Sequence, residues 1–453
     1  MKYTPKKLFI RIAVLGILAL AVIIVIACSW MGDGAVAESY SDLQSSLVNS
    51  ETVYTMLALW IAVPVGLAGL LAVVILTSKP IAKLFRSRNR IKKENGSRFA
   101  NLTQIDARLK SPRNEEFVSL SLAELCEGFR HYAAGKLGLY YDIADIRRFV
   151  AGMGISKLMI LRGISGTGKT SLAYAAGEYF GNPATIVPIQ PMWKERSDIV
   201  GYFNEFTKRF NETTLLCKLY EAGGKQDVYI TVLDEVNISR IEYYFAEFLS
   251  LLEIPDPKKR ELDVVSDSWP NDPQRLKGGK LLLPENMWFI GTANNDDSTF
   301  SISDKVYDRA AVIDLDRKAK PFVPKDTPAA HISFGELNRS FAEAKKNYRL
   351  SPRNRENLAK LDGYLAEVFR VSFGNRIMRQ IENYVPILYA CGGTELEALD
   401  DLLARKVLRK LEQLSPALLK SEIPGLCALL DELFGPNFLP QCQEYLNRLA
   451  KSV

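Results

Sequence analysis

A glycine-rich stretch at residues 163–170 has the residue types needed to hold a polyphosphate. It reads Gly-Ile-Ser-Gly-Thr-Gly-Lys-Thr and fits the pattern G-x-x-x-x-G-K-[ST]. In such a loop the glycines let backbone N–H groups point at one anion, the lysine reaches the outer phosphates, and the final hydroxyl ligates Mg²⁺. The predicted nucleotide-binding residues are Gly163, Ile164, Ser165, Gly166, Thr167, Gly168, Lys169, Thr170 and Ser171.

Two adjacent carboxylates, Asp234 and Glu235, follow an apolar run at residues 227–233. Asp234 is predicted to hold Mg²⁺ together with Thr170, and Glu235 to orient and deprotonate an attacking water. Paired acids at the end of a strand also occur as solvated turns. The glycine-rich loop earlier in the chain favours the metal and water roles.

Two further polar residues are candidates for the same reaction. Asn294 ends another apolar run and is predicted to contact the γ-phosphate or the lytic water, whereas Asn295 is assigned to the turn. Arg309 precedes the last apolar run and could neutralise charge on the γ-phosphate of a neighbouring subunit. The alternative for Arg309 is a surface salt bridge to Asp304 or Asp308.

Strand and helix patterns alternate around these residues, which predicts an α/β fold with a parallel sheet. The helix after the loop is predicted over Lys169–Gly177, and a second one over residues 240–253. Residues 254–285 form a Pro-, Gly- and charge-rich insertion, and from about residue 330 only helical spacing remains. The predicted strands span residues 156–161, 184–190, 227–233, 286–294 and 310–316.

In this order the motifs resemble those of the AAA+ ATPases, in particular the McrB-type restriction motors and MoxR-like chaperones. The stretches GISGTGKTSLA, LDEVNISRIEYYFAEFLSLLE and LPENMWFIGTANND are similar to the Walker A, Walker B and sensor-1 segments of that branch, and the match spans about residues 140–390. The resemblance implies a P-loop NTPase with an all-helical lid. It makes Asp234 and Glu235 the Walker B pair, Asn294 sensor 1 and Arg309 the arginine finger.

The same resemblance implies roles for less certain positions. Arg376 is the candidate for sensor 2, with Arg379 one helical turn later as its competitor, and the insertion at 254–285 corresponds to a hairpin before sensor 1. Trp193 and Tyr202 are candidates for gripping a substrate at a pore, although such aromatic residues more often pack against the protein.

Three departures from that branch concern the contacts between subunits and the handling of DNA. Ile238, not an arginine, follows Asn237 after the acidic pair, and Arg309 stands alone where that branch often has several arginines. The DNA-reading domain of the restriction motors has no counterpart here. A membrane hairpin is predicted in its place.

Two uncharged apolar runs, at residues 12–30 and 53–78, are each long enough to span a bilayer. Basic residues flank both runs, while the loop at 31–52 contains acidic residues and no Lys or Arg. This pattern predicts a multi-pass protein of the plasma (inner) membrane with both termini in the cytoplasm. A cleaved signal peptide, with a lipoprotein-like box ending at Cys28, is the alternative for the first run.

The charge distribution gives no support for nucleic-acid binding. The net charge of +6 comes from the membrane flanks, whose Lys and Arg residues are expected to meet anionic lipids, and the rest of the chain is nearly neutral. The six cysteines have no metal-site spacing, and the only two histidines are His131 and His331. These counts argue against a zinc centre or a Ser–His triad.

The sequence therefore predicts a membrane-anchored AAA+ nucleoside triphosphatase that uses Mg²⁺ and ATP, with GTP as the alternative nucleotide. A homo-oligomeric ring, expected to be a hexamer, would remodel an unidentified protein partner, and direct contact with nucleic acid is not expected. Two other functions remain open: a nucleotide-gated scaffold with little turnover, and a GTP-driven motor for a separate nuclease in phage defence. The predicted segments are 1–11 (N-terminus), 12–30 and 53–78 (membrane helices), 31–52 (external loop), 79–135 (basic linker and helix), 136–325 (αβ ATPase domain) and 326–453 (helical lid and C-terminal helices).

Overall fold

A five-stranded parallel sheet lies at the centre of the protein. The computed structural model describes residues 97–110, 116–294 and 299–452. The sheet has the strand order β10-β1-β9-β5-β2, and each neighbouring pair is parallel. Each of its strands begins and ends within two residues of a predicted strand. The described strands are β1 (Leu158–Gly163), β2 (Thr185–Pro188), β3 (Gly201–Asn204), β4 (Arg209–Glu212), β5 (Tyr229–Asp234), β6 (Glu261–Asp263), β7 (Leu276–Lys277), β8 (Lys280–Leu282), β9 (Met287–Asn294) and β10 (Ala311–Asp314).

Helices cover both faces of this sheet. The described α-helices are α1 (Ala100–Leu109), α2 (Leu122–Leu137), α3 (Ile143–Met153), α4 (Lys169–Tyr179), α5 (Arg196–Val200), α6 (Thr214–Ala222), α7 (Ile241–Tyr244), α8 (Ala246–Glu253), α9 (Asp304–Tyr307), α10 (Phe334–Asn347), α11 (Pro352–Phe369), α12 (Gly374–Ala390), α13 (Glu395–Leu402), α14 (Pro416–Phe434) and α15 (Pro440–Ser452). A glycine-rich loop joins β1 to α4, so the chain has an α/β P-loop fold.

The central strands divide their side chains between two apolar cores. In β1, Met159 and Leu161 pack with α3, α4 and the C-terminal helices, whereas Leu158 and Ile160 pack with α6, α7 and α8. This alternation follows from the two-residue period of a strand. Strands buried on both faces read as continuous apolar runs, which is why β1, β5 and β9 could be predicted from the sequence.

Strand β9 lies between β1 and β5 in the sheet, although it follows both in the chain. Its last residue, Asn294, pairs in register with Gly163 at the end of β1, and Gly291 pairs with Leu233 of β5. Because all three strands are parallel, their carboxyl ends meet at one edge of the sheet. The glycine-rich loop, the acidic pair and Asn294 therefore lie at the same edge.

The C-terminal region is helical, as predicted, but less regular than its sequence pattern indicates. Residues 395–414 have continuous helical spacing, yet α13 is followed by a π-helical turn at Leu403–Val407 and a 3₁₀-helix at Leu408–Gln413. The π-helical turn buries two consecutive cations, Arg405 and Lys406. π-helical turns are frequent at functional sites. Helix α14 falls where no element was predicted, since Pro424 lies inside it.

Two small β structures extend from the P-loop fold. The insertion at 254–285, which the resemblance makes a hairpin before sensor 1, contains a three-stranded antiparallel sheet of order β6-β8-β7. Gly278 and Gly279 connect β7 to β8 with φ angles of 62° and 84°, which non-glycine residues rarely adopt in pairs. Strands β3 and β4 form a second hairpin. Short, polar strands of this kind have only a weak sequence pattern, so their pairing is difficult to predict.

No helix within the described ranges is both long and apolar enough to cross a bilayer. The predicted membrane helices at 12–30 and 53–78, and the flanking segments 1–11 and 31–52, lie outside those ranges.

Two glycines on helices provide opposite tests of the packing around the P-loop helix. A Cβ at Gly177 in α4 would lie 2.4 Å from the backbone nitrogen of Ala184, whereas a Cβ at Gly363 in α11 would meet no atom within 4 Å. Gly177→Ala should lower the free energy of unfolding by about 1–3 kcal/mol through overpacking. Gly363→Ala should raise it by about 1 kcal/mol through helix propensity. Urea unfolding of both variants in detergent measures these free energies. Equal stability of the two variants would contradict the close approach of α4 to the residue before β2.

Candidate functional site

The loop from β1 to α4 has the backbone conformation of an anion cradle. Gly166 and Gly168 have φ angles of 79° and 89°, in the left-handed region that glycine adopts without a steric cost. Gly168 directly precedes α4, which begins at Lys169, so the free N–H groups of the first helical turn face the loop. An anion at this position is stabilised by those N–H groups and by the helix dipole.

Lys169 lies within this cradle. Its side chain is buried, and Nζ donates hydrogen bonds to the carbonyl oxygens of Gly163 (3.1 Å) and Ile164 (2.8 Å). Thr167 Oγ1 also donates to Ile164 O, at 3.0 Å. The loop therefore closes over its own lysine, and the amine lies where phosphate oxygens would be held by the loop.

The Asp234 carboxylate joins the loop to the neighbouring strands. Its Oδ1 accepts hydrogen bonds from Thr170 Oγ1 and from Thr292 Oγ1, each at 2.7 Å. Hydroxyl and carboxylate oxygens are the ligands that Mg²⁺ prefers, and Mg²⁺ commonly takes one or two protein carboxylates together with substrate phosphates and water. The structure thus brings the predicted metal ligands Thr170 and Asp234 within reach of one small cation. The described residues contain no group of three or more acidic, His or Cys side chains that could hold a metal by themselves.

Glu235 has an unusual backbone conformation for its residue type. Its φ angle is 56°, in the left-handed region, and its side chain is exposed at the carboxyl edge of the sheet. The conformation is held by two hydrogen bonds to Thr292: Glu235 N donates to Thr292 Oγ1 (2.9 Å), and Val236 N donates to Thr292 O (2.9 Å). A strained conformation at a carboxylate beside a phosphate cradle is typical of active sites.

Thr292 is a site residue that the sequence analysis did not single out. It is 2% exposed, and its hydroxyl donates to Asp234 while accepting from the backbone of Glu235. The available signal was a polar side chain in the buried strand β9, two residues before Asn294 and therefore on the same face. Thr292 thus holds the carboxylate of Asp234 and the backbone of Glu235.

Asn294 lies at the end of β9 beside the first residue of the loop. Its register partner is Gly163, and its side chain is half-buried. Asn237 Nδ2 donates to Asn294 O (2.9 Å) and to Thr299 Oγ1 (2.8 Å), which ties the turn after the acidic pair to the end of β9. Asn295 lies outside the described residues.

Arg309 and Arg376 lie at the opposite, amino edge of the sheet. Both donate to the Glu253 carboxylate, Arg309 Nη2 to Oε2 at 2.7 Å and Arg376 Nη2 to Oε1 at 2.6 Å. Ser156, just before β1, donates to the carbonyl of Arg309. The six residues of β1 separate this edge from the loop by about 17 Å. The predicted catalytic arginines therefore do not join the P-loop residues of their own chain.

This position corrects two expectations. Sequence alone offered Asp304 or Asp308 as the salt-bridge partner of Arg309, but the partner is Glu253. Arg376, the sensor-2 candidate, lies in the first turn of α12 at the amino edge and not beside the loop of its own chain, and its competitor Arg379 lines the same cleft. The end of α8 brings a carboxylate to this place, and local sequence patterns do not reveal such a long-range pairing.

The C-terminal helices hold the segment that carries Arg309. Lys406 is fully enclosed, and its Nζ donates to the carbonyl oxygens of Tyr307 and Ala310 on either side of Arg309. Gln380 Nε2 donates to Asp308 O at 2.9 Å. Burial lowers the pKa of Lys406 to about 7, although Asp308 opposes the shift. Any movement of these helices against the sheet would consequently move Arg309.

A polar cavity of about 290 Å³ lies between the start of α3 and the C-terminal helices. Asp314 on its wall pairs with Arg162 (2.7 Å) and Arg405 (3.2 Å). Burial alone would raise the pKa of Asp314, but the two guanidiniums hold it below its ordinary value. Tyr141, next to the cavity wall residue Asp142, donates to the carbonyl of Gly168 (3.0 Å). The residue that precedes Asp142 in the chain thus contacts the phosphate loop.

The two candidate pore aromatics differ in their surroundings. Trp193 is half-buried and packs edge-to-face on Tyr244 at 5.8 Å, so packing accounts for it. Tyr202 on β3 is half exposed, and Phe206 in the β3–β4 turn is 98% exposed. The hairpin therefore presents aromatic surface, with Phe206 as a residue that the sequence analysis did not name.

Two of the solved structures that match this chain illustrate the low level of similarity. One is the crystal structure of a "putative ATPase" from Cytophaga hutchinsonii, with 11% identity over 73% of this chain and 95% of that one and a TM-score of 0.43. The other is a full-length MCM homolog from Methanopyrus kandleri, with 10% identity over 62% of this chain and 58% of that one and a TM-score of 0.34. No family model and no curated protein matches the sequence. At these TM-scores neither similarity assigns a function.

The Thr292 hydroxyl gives the site a direct test. Thr292→Val keeps the shape of the side chain but removes both hydrogen bonds to the acidic pair. Since hydrogen bonds to charged groups are worth about 1.5–3 kcal/mol, Mg²⁺-dependent nucleotide hydrolysis should fall by about 10–100-fold. Thr292→Ser retains the hydroxyl and should keep most of the activity. Equal rates for the two variants, measured by phosphate release, would show that the hydroxyl does not position the carboxylates.

Proposed function

We propose that the protein is a membrane-anchored, Mg²⁺-dependent nucleoside triphosphatase of the AAA+ type that works as a ring and remodels a partner protein. The observation that carries the proposal is the contact of Thr170 with Asp234 at 2.7 Å beside the buried amine of Lys169. A hydroxyl, a carboxylate and an ammonium at the start of one helix form a site for a metal-bound triphosphate. ATP is the proposed nucleotide, with GTP as the alternative.

Each residue of the carboxyl edge has a definite task in this reaction. The loop N–H groups and Lys169 bind and orient the phosphates, and Thr170 and Asp234 would hold Mg²⁺, which neutralises charge on the β- and γ-phosphate oxygens. Glu235 accepts a proton from the attacking water, and Thr292 fixes the position of its backbone. Asn294 supplies a polar contact to the water or the γ-phosphate. The cavity beside Tyr141 has room for the nucleoside.

The ring follows from the separation of the two edges. In its own chain Arg309 lies about 17 Å from the loop, too far to stabilise charge on the γ-phosphate. A neighbouring chain can offer its amino edge to that phosphate if the subunits pack head to tail, and such a heterologous interface closes into a ring. We expect a hexamer, with Arg376 facing the same interface as Arg309.

The remaining parts of the proposal concern where the protein is located and how it acts on its partner protein. The apolar runs at 12–30 and 53–78 would anchor the ring in the plasma membrane and leave the nucleotide site in the cytoplasm. The contacts of Lys406 and Gln380 with residues 307–310 would transmit rotation of the C-terminal helices to the subunit interface. The β3–β4 hairpin, with Phe206 exposed, is the surface proposed to engage the protein partner.

Glu235→Gln tests the enzymatic part of the proposal. The amide keeps the size of the side chain but cannot accept the proton, so nucleotide should bind normally while turnover falls by about 100-fold or more. The full chain, extracted from membranes with detergent, would be assayed for binding of fluorescent ATP and GTP analogues and for phosphate release. Glu205→Gln, on the exposed turn of the β3–β4 hairpin, is the control. Robust hydrolysis by Glu235→Gln would contradict the assignment, and recovery of the protein without detergent would contradict the anchor.

Mixed rings test whether Arg309 acts on a neighbour. Lys169→Ala and Arg309→Ala should each be inactive alone, because one lacks phosphate binding and the other lacks the arginine. In an equal mixture, about a quarter of the interfaces pair an intact loop with an intact Arg309, so a similar fraction of wild-type activity should return. Arg339→Ala, an exposed arginine on α10 paired with Glu336, should stay active by itself. An inactive mixture whose subunits exchange, as shown by fluorescence energy transfer, would exclude action in trans.

A further inference from the structure

Arg309 and Arg376 share one carboxylate, that of Glu253. Each oxygen of Glu253 accepts one hydrogen bond, from Arg309 Nη2 at 2.7 Å and from Arg376 Nη2 at 2.6 Å. The side chain of Glu253 is 35% exposed, that of Arg309 24% and that of Arg376 53%. The two guanidiniums therefore clamp a single anionic group at the protein surface.

The surroundings of this clamp are strongly basic. A cleft of about 540 Å³ at the amino edge is lined by five basic side chains, four of them arginines, and only two carboxylates. The carboxylates are Glu253 and Asp308, and the basic side chains are Lys157, Arg260, Arg309, Arg376 and Arg379. An excess of fixed positive charge in a cleft attracts anions. Glu253 alone does not neutralise the cleft.

Polar atoms within the cleft are left without partners. Arg309 Nε is buried and donates to no acceptor in the part of the chain that the structure describes. Gln380 Oε1 is also buried and accepts from no donor there. A buried guanidinium N–H without an acceptor costs free energy. The contacts of Arg309 in the separate subunit therefore leave part of its guanidinium unsatisfied.

Carboxylate and phosphate groups are interchangeable partners for such a clamp. Both present pairs of oxygens to guanidinium N–H groups, and arginine binds both in bidentate geometry. A phosphate has more oxygens and more negative charge than a carboxylate. A terminal phosphate can thus replace the Glu253 carboxylate at both Nη2 groups and has further oxygens for the other cations of the cleft.

We propose that Glu253 occupies, in the separate subunit, the place that the terminal phosphate of a neighbour's nucleotide takes in the ring. Glu253 is then a positioning residue: it keeps Arg309 and Arg376 together, and the phosphate displaces it when two subunits join. The inference rests on the proposed function, because it requires Arg309 to act on a neighbouring site. Ion pairs with this exposure are weak enough for such an exchange.

Removing the charge of Glu253 should make assembly easier. In Glu253→Gln the neutral amide no longer competes with the phosphate, and the two guanidiniums lose their counter-ion. For the full chain in detergent, the subunit concentration that gives half-maximal nucleotide hydrolysis should fall by about 2–5-fold, the scale expected for an exposed ion pair. The maximal rate per subunit should not decrease. Glu253→Asp keeps the charge but is one methylene shorter, and should fall between Glu253→Gln and the wild type.

The matched control is Glu247→Gln, a carboxylate on the same helix that lies outside the cleft. Glu247 accepts from Asp263 N at 3.2 Å and faces Arg196 at 3.4 Å, so its loss should leave the half-maximal concentration unchanged. Binding of a fluorescent nucleotide by each variant shows that the P-loop is folded. If Glu253→Gln fails to bind nucleotide, the half-maximal concentration of Glu253→Asp is compared with that of the wild type, and a lower value supports the exchange.

Two outcomes separate this inference from the proposed function. If Arg309→Ala is inactive while Glu253→Gln needs the same or a higher concentration, or loses maximal rate, the exchange of Glu253 for phosphate is wrong and the trans arginine stands. If Arg309→Ala hydrolyses nucleotide at the wild-type rate, the arginine has no role in trans and the proposed function fails at that step. A purely structural Glu253 would give a variant that assembles less readily.

Discussion

One oxygen atom, Oδ1 of Asp234, holds the proposed nucleotide site together. It accepts hydrogen bonds from Thr170 on the helix after the loop and from Thr292 on β9, while Asp234 itself ends β5. Three elements from distant parts of the chain are thereby fixed at one point. The contact exists only because β1, β9 and β5 are parallel neighbours, which places their carboxyl ends at the same edge. A shift of β9 by one residue would turn Thr292 to the other face and separate the two carboxylates from their support.

Much of this edge is predictable, since its signals are local. Lys169 and Thr170 stand in a fixed pattern, and Asp234 and Asn294 end runs so apolar that only a sheet covered on both faces accounts for them. Thr292 escapes prediction because a single hydroxyl within an apolar strand resembles an ordinary strand residue. The left-handed backbone of Glu235 also escapes, because glutamate has no preference for that conformation and tertiary hydrogen bonds impose it.

The amino edge could be predicted only in part. The sequence indicated Arg309 and Arg376 as candidates, but it did not indicate Glu253, the residue that pairs with both. Glu253 reaches across 56 positions to one arginine and 123 to the other, and a glutamate at the end of an amphipathic helix reads as a solvated residue. The same limit applies to Lys406, whose sequence context predicts an exposed face of a regular helix. Its burial depends on the π-helical turn, which helical periodicity does not indicate.

The buried amine of Lys406 gives the two edges a mechanical connection. Below about pH 7 the enclosed ammonium is charged, and within that segment its lost hydration is compensated by the hydrogen bonds to Tyr307 O and Ala310 O and by the nearby Asp308 carboxylate. A charged donor surrounded by protein keeps its acceptors closely in place, because losing them would leave a buried charge unsolvated. The segment with Arg309 must therefore follow the C-terminal helices as one body. Since these helices also line the cavity at the start of α3, filling that cavity would shift Arg309, the arginine proposed to act on a neighbouring subunit.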